Sequence, residues 1–185
     1  MTLRGRTLYI PQMSYDGAYL FASALKSHGI DAKIEPHSNE KTLELGAKYT
    51  SGEECYPQIV TIGNFMRVLI DEKVDPKKVA FFMPTADGPC RFGQYSNYLT
   101  KILQENGFSD ASVLSPTSAN GYEGLGDNSI DLIRTLFRAL VCGDVIRKLL
   151  LHTRPYELNK GETEISYEES LSDISTVLAL QEISG

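Results

Sequence analysis

At 185 residues, with 18 Lys and Arg against 24 Asp and Glu and a net charge of -6, the chain is long enough to close one hydrophobic core, and roughly 150 residues per domain argues against two. No basic cluster stands out along it, which makes nucleic acid and anionic membrane poor partners. The longest apolar run, Val79 to Met83, falls far short of the ~20 residues that span a bilayer, the N-terminus lacks the charged-then-apolar order of a signal peptide, and three widely spaced cysteines make no disulfide framework, so a cytoplasmic chain is expected.

Thr7-Leu8-Tyr9-Ile10, ended by Pro11, reads as a first strand buried on both faces. From Asp16 the period becomes helical through Ala18, Phe21, Ala22 and Leu25, with Gly29 as the stop. Ala32 to Glu35, ended by Pro36, is a short second strand. A short helix is expected from Glu40 to Tyr49, and a stronger one begins near Cys55 and Pro57, with Ile59, Ile62, Phe65, Met66 and Leu69 as its buried stripe. Lys78 to Met83 is the third strand. A helix follows from about Gly93 to Asn106, with Tyr95, Tyr98, Leu99, Ile102 and Leu103 inward; then comes a fourth strand, Ala111 to Leu114. After a glycine-rich loop, a long helix from Asn128 to about His152 is expected to turn Ile130, Ile133, Leu136, Phe137, Leu140 and Val141 inward. The acidic end of the chain can form a last helix that docks through Tyr167, Leu171, Ile174, Val177 and Leu178.

Strands alternating with helices describe an α/β fold: a doubly wound parallel sheet of about four strands in the flavodoxin-like order 2-1-3-4, with helices on both faces. The α/β domain is read as residues 1–157, and residues 158–185 as a helical tail that could open a following segment.

Ligands of such sheets bind at the carboxyl edge, where strand order reverses. Two segments reaching that edge hold a cysteine just before or at an expected helix start: Gly52-Glu53-Glu54-Cys55-Tyr56-Pro57 and Asp87-Gly88-Pro89-Cys90-Arg91-Phe92-Gly93-Gln94-Tyr95. Helix N-termini favour negative charge, which suits a thiolate. Gly88, Pro89 and Gly93 would let backbone amides approach an anion or a cluster sulfide, and Arg91 could hold an anionic ligand or pair with an acid. Two thiolates beside a glycine-rich loop are compatible with an iron–sulfur cluster, a zinc ion or a redox pair, against the plainer reading of cysteine as a small packing residue. Packing is the favoured reading for Cys142, inside the long helix.

Other polar residues say less. His28 and His152 suit helix C-termini, His37 falls in a polar loop, and no histidine pairs with a carboxylate at metal-ligand spacing. Asp16, Glu53, Glu54 and Asp87 read as caps and loop hydrogen-bond acceptors. Tyr15, Tyr56 and Tyr95 could line the crevice, with core packing as the default.

Three strings, Thr50 to Pro57, Phe82 to Tyr95 and Thr153-Arg154-Pro155-Tyr156-Glu157, together resemble the 2-hydroxyacyl-CoA dehydratase component family, in particular the dehydratase-like region of CoA-substrate-specific enzyme activase-related proteins. Gly-Pro-Cys-Arg-Phe-Gly-Gln-Tyr is the most specific part, and the similarity runs from the first strand to about Glu157. The resemblance implies a [4Fe-4S] or double-cubane cluster held on cysteines, here Cys55 and Cys90. It also implies an ATP-hydrolysing activator that delivers a low-potential electron, and an acyl-CoA thioester as substrate of the full system. A four-iron cubane normally takes four ligands, so the resemblance requires others from another domain, another subunit or a non-cysteine group. No phosphate-binding loop is present; the chain is not the ATPase and is much shorter than a dehydratase subunit.

The expected function is therefore an iron–sulfur-binding, electron-accepting domain of a lyase or activase system, either a fragment of a longer protein or a reduced stand-alone relative, and not expected to be active alone. Two rivals stand beside it. One is a non-catalytic scaffold that docks through the long helix and tail, which an exposed apolar strip would favour; the other is a thiol-redox or small-ligand-binding flavodoxin-like module, which needs two sulfurs within disulfide reach.

Overall fold

β-branched, aromatic and aliphatic residues fill β1 (Thr7–Ile10), and three of its four positions are buried. The computed structural model describes residues 3–86, 88–117, 119–125 and 129–180; Asp87 and Asn128, the expected first residue of the long helix, lie outside them. The chain forms two compact units, Met1–Gln12 with Lys33–Gly126 and Met13–Ala32 with Asp127–Gly185.

The first unit is built on a four-stranded sheet in the order β2-β1-β3-β4, the flavodoxin-like arrangement expected. Its strands are β1, β2 (Ala32–Ile34), β3 (Val79–Phe82) and β4 (Ser112–Leu114). β3 runs parallel to β1, with Leu8 opposite Ala80, and parallel to β4, with Phe81 opposite Val113. Every residue of β3 is buried, as a strand with neighbours on both sides and apolar side chains on both faces requires. Phe81 is the centre of the core; Phe65 meets it at 4.5 Å between ring centroids and Tyr9 at 6.2 Å.

Two helices, α2 (Glu40–Tyr49) and α3 (Tyr56–Ile70), pack against each other in this unit. The start of α2 is set by Asn39, whose side chain accepts from Thr42 N at 3.2 Å while Thr42 Oγ1 accepts from Asn39 N at 3.1 Å; each satisfies an amide that the first helical turn leaves unpaired. Gly46 and Gly63 let the helix backbones touch. A Cβ on Gly63 would lie 2.0 Å from the Thr42 carbonyl oxygen, and one on Gly46 would lie 2.5 Å from that of Ile59. The helix expected from about Gly93 to Asn106 is α4 (Tyr95–Glu105), entered through a 3-10 turn, Arg91–Gln94.

The second unit consists of α1 (Tyr15–Ser27), α5 (Ser129–Thr153) and α6 (Glu162–Leu180). Asp16, 1% exposed, receives Arg147 Nη1 at 3.1 Å and the Tyr167 hydroxyl, so one buried charge joins all three helices. Burial, followed by the bond to Asp16, pushes the Tyr167 phenol up to about 12. Ser23 and Ser175 add a 2.8 Å bond between α1 and α6. The buried stripe of α5 is Leu132, Thr135, Leu136, Ala139 and Leu150. Of the expected stripe only Leu136 is buried; Ile130, Phe137, Leu140 and Val141 face outward. α6 buries Leu171 and Leu178, as expected, and exposes Val177. Among the described residues no helix is long and apolar enough to cross a membrane.

Because backbone sits where a methyl on Gly63 would go, Gly63→Ala should force α2 and α3 apart and cost about 3 kcal/mol of stability. The urea midpoint reads this out, and an unchanged midpoint would mean that the two helices do not meet there.

Candidate functional site

Cys55 occupies the N-cap position of α3, at φ -68° and ψ 148°, with Pro57 in the helix's first turn. Its loop, residues 50–55, is the turn of the α2–α3 pair. α3 leads into β3, so its first turn stands at the carboxyl edge of the parallel sheet. Cys90 stands on the segment that leaves β3 at the same edge, just before the 3-10 turn. It is exposed and Cys55 half-buried; both are free thiols, as is Cys142.

Three interactions bring the two segments together. Arg91 Nη1 donates to the Glu53 carbonyl oxygen at 2.7 Å. The Tyr95 hydroxyl and Cys55 Sγ share a hydrogen bond of 2.7 Å. The Tyr98 hydroxyl donates to Glu54 Oε1 at 2.5 Å. Tyr95 is buried and meets Phe92 edge-on at 5.1 Å. Burial, then the bond to and charge of Cys55, and then the charge of Cys90, push the Tyr95 phenol well above its ordinary range. One hydroxyl thus senses both sulfurs.

Glu54 is the acceptor that shapes the Cys55 loop. Besides Tyr98 it takes Ser51 N at 3.1 Å, Ser51 Oγ at 2.8 Å and Gly52 N at 2.9 Å. Desolvation alone would raise its pKa, but the hydrogen bonds from Tyr98 and Ser51 together outweigh it and hold the carboxyl at about 2. This is the loop role that its position suggested. Beside it opens a cleft of about 320 Å³ lined by Glu54, Gln58, Gln94, Asn97, Tyr98 and Lys101.

The other expected site residues divide. Arg91 grips the Glu53 backbone, so its charge ties loop to loop. Gly88 has φ +112° and open space where a Cβ would project, which leaves its backbone accessible. Gly93 is needed by its own loop, because a Cβ there would lie 2.8 Å from the Ala86 carbonyl oxygen. Asp87 lies outside the described residues. Tyr56 is exposed, whereas Tyr15 and Asp16 belong to the second unit. Tyr98 was expected inward and is half-buried, and its pairing with Glu54 had no signal in the sequence, since the partners stand 44 residues apart.

No family model, no curated protein and no solved structure matches this chain.

Glu54 titrates below its unfolded value of 4.5, so its support of the loop is fully present above about pH 4.5 and is lost as pH falls through about 2. Tyr98→Phe removes one donor. The Glu54 carboxyl, followed by carbon NMR, should then titrate nearer 4.5; a midpoint that stays at the wild-type value would remove Tyr98 from the account.

Proposed function

We propose that this chain is an iron–sulfur-binding, electron-accepting domain of a 2-hydroxyacyl-CoA dehydratase or activase-related system, with Cys55 and Cys90 as the ligands it contributes. The observation that carries the reading is the joining of two cysteine segments at one sheet edge by Arg91 on Glu53 and Tyr95 on Cys55. Thiolate sulfur is the donor that iron–sulfur clusters take, and a free thiol on each segment fits half of a four-ligand set. Among the described residues no group of three or more His, Cys, Asp or Glu gathers, so the remaining ligands would come from another domain or subunit. When bound, the cluster supplies a one-electron redox centre. The chain's own residues hold its place: Tyr95 orients Cys55, Glu54 fixes the loop before it, and Gly88 offers backbone approach. The partners would be an ATP-dependent activator and, in the full system, an acyl-CoA thioester, in the cytoplasm.

A second reading is a scaffold domain that docks through α5, and one observation favours it. Ile130, Phe137, Val141, Val145 and Leu149 are exposed on the side of α5 away from its buried stripe. A helix apolar on two sides is usually covered on both.

Anaerobic reconstitution with iron and sulfide, followed by visible and EPR spectra, tests the first reading. With a small-molecule thiol added to fill the two open positions, a stoichiometric cluster signal is expected in the wild type and should be lost in both Cys55→Ala and Cys90→Ala. Absence of bound iron from the wild type under these conditions would rule out Cys55 and Cys90 as a ligand pair and favour the scaffold reading. For that reading, Phe137→Asp with Val141→Asp should abolish co-sedimentation with the activator while leaving helix content unchanged.

A further inference from the structure

We infer that Glu35 is a protonation-controlled latch, joining the carboxyl ends of β1 and β2 to the α2–α3 pair when neutral and loosening that junction when it ionises. The latch does not depend on what Cys55 and Cys90 hold.

Glu35 follows β2 directly and is 5% exposed. Its Oε1 accepts from Gln12 N, just beyond β1, at 2.8 Å and from Asn64 Nδ2, in the middle of α3, at 3.1 Å. Its Oε2 is buried with no hydrogen-bond partner. Asn64, 1% exposed, carries the connection onward. Its amide nitrogen also donates to Ser38 Oγ at 2.9 Å, and its oxygen accepts from Thr42 Oγ1, in the first turn of α2, at 2.8 Å. Both amide protons of Asn64 are thereby used, so it has none to offer Oε2.

Charged and titratable groups around the node do not neutralise it. Arg67 of α3 acts on Glu35 only through space; its Nη1 donates to the His37 carbonyl oxygen at 2.6 Å and to Thr42 Oγ1 at 3.1 Å, and its Nε faces Asp71 at 3.5 Å. His37, on the segment leading to α2, meets the Gln12 side chain at 3.1 Å through Nδ1. Lys41 of α2 reaches Asp71. A carboxylate at this place would thus be a buried charge with one oxygen lacking a donor, which costs far more than the neutral acid does.

Burial is accordingly the largest influence on this carboxyl and raises it from 4.5 to about 7, against the bonds from Gln12 and Asn64 and the charge of Arg67, which lower it. The sign follows from the proton count. The folded chain keeps the proton up to about pH 7, whereas the unfolded chain releases it near 4.5, so the stability due to neutral Glu35 is fully present below about 4.5 and lost as pH rises through about 7.

Two measurements on the full chain test the latch. Carbon NMR of glutamate-labelled protein should show one carboxyl, assigned through its backbone to Glu35, titrating near 7. Amide hydrogen exchange at Thr42 and Asn64, corrected for intrinsic rate, should show an opening constant that rises roughly 30-fold between pH 5.5 and 8.5 and stays flat in Glu35→Gln. A Glu35 carboxyl that titrates near 4.5, or a Glu35→Gln variant with the wild-type pH dependence, would overturn the inference. If Glu35→Gln does not fold, the carboxyl titration of the wild type decides alone.

Discussion

Backbone-to-backbone contact between α2 and α3 is the constraint on which the first unit's organisation rests. Two helices carrying ordinary side chains stand 8–10 Å apart. Here Gly63 lies under the Thr42 carbonyl and Gly46 under that of Ile59, so neither position tolerates even a methyl group. The approach has two consequences. The turn joining the helices is confined to residues 50–55, and Cys55 caps α3 without a side-chain bond to the helix's first turn, its Sγ bonding to Tyr95 instead. The contact also carries buried polar side chains that hydrogen-bond one another, Thr42 with Asn64 and Asn64 with Glu35.

The same pair of helices therefore presents two faces of chemistry. At its turn, polar groups are well supplied with donors: Glu54 accepts four hydrogen bonds and is held ionised to low pH. At its root, Glu35 accepts two on one oxygen and none on the other, and it keeps its proton towards neutrality. Two glutamates 19 residues apart are driven in opposite directions, Glu35 upward chiefly by burial and Glu54 downward by the hydrogen bonds it accepts, which is the ordinary means by which one fold sets different protonation states side by side.

Much of the fold was legible because parallel strands and their crossovers have separate periodicities. Val79 to Phe82 could be nothing but a central strand, and Glu40 to Tyr49 emerges as a helix with the expected bounds. The face of α5 was not legible, because Ile130, Phe137 and Val141 keep the helical period as well as Leu132, Leu136 and Ala139 do. Periodicity cannot say which of two interleaved stripes is buried. α4 starts two residues after the expected Gly93, whose close approach to the Ala86 carbonyl belongs to the folded loop. At the candidate site, the two cysteines and Arg91 were found by position, whereas Tyr98 on Glu54 could not be. Buried carboxylates are the hardest to read: Asp16 meets Arg147 across 131 residues and Glu35 meets Asn64 across 29, so no local spacing announces either.

At the opposite, amino edge of the sheet a single side chain does a different kind of work. Arg6 Nη1 lies 2.9 Å from the Val79 carbonyl oxygen, 2.8 Å from that of Asp110 and 3.4 Å from that of Pro76. These belong to the first residue of β3 and to the segments that lead into β3 and β4. A strand that slips by one residue turns its apolar side chains to the wrong face, and strands three or four residues long have little pairing with which to resist. Arg6 supplies a gauge. Carbonyls as far as 104 residues away in the chain converge on one guanidinium only when β3 and β4 are correctly aligned with β1, so the alignment of these three strands is proofread at one point, on the edge where no chemistry is asked of it.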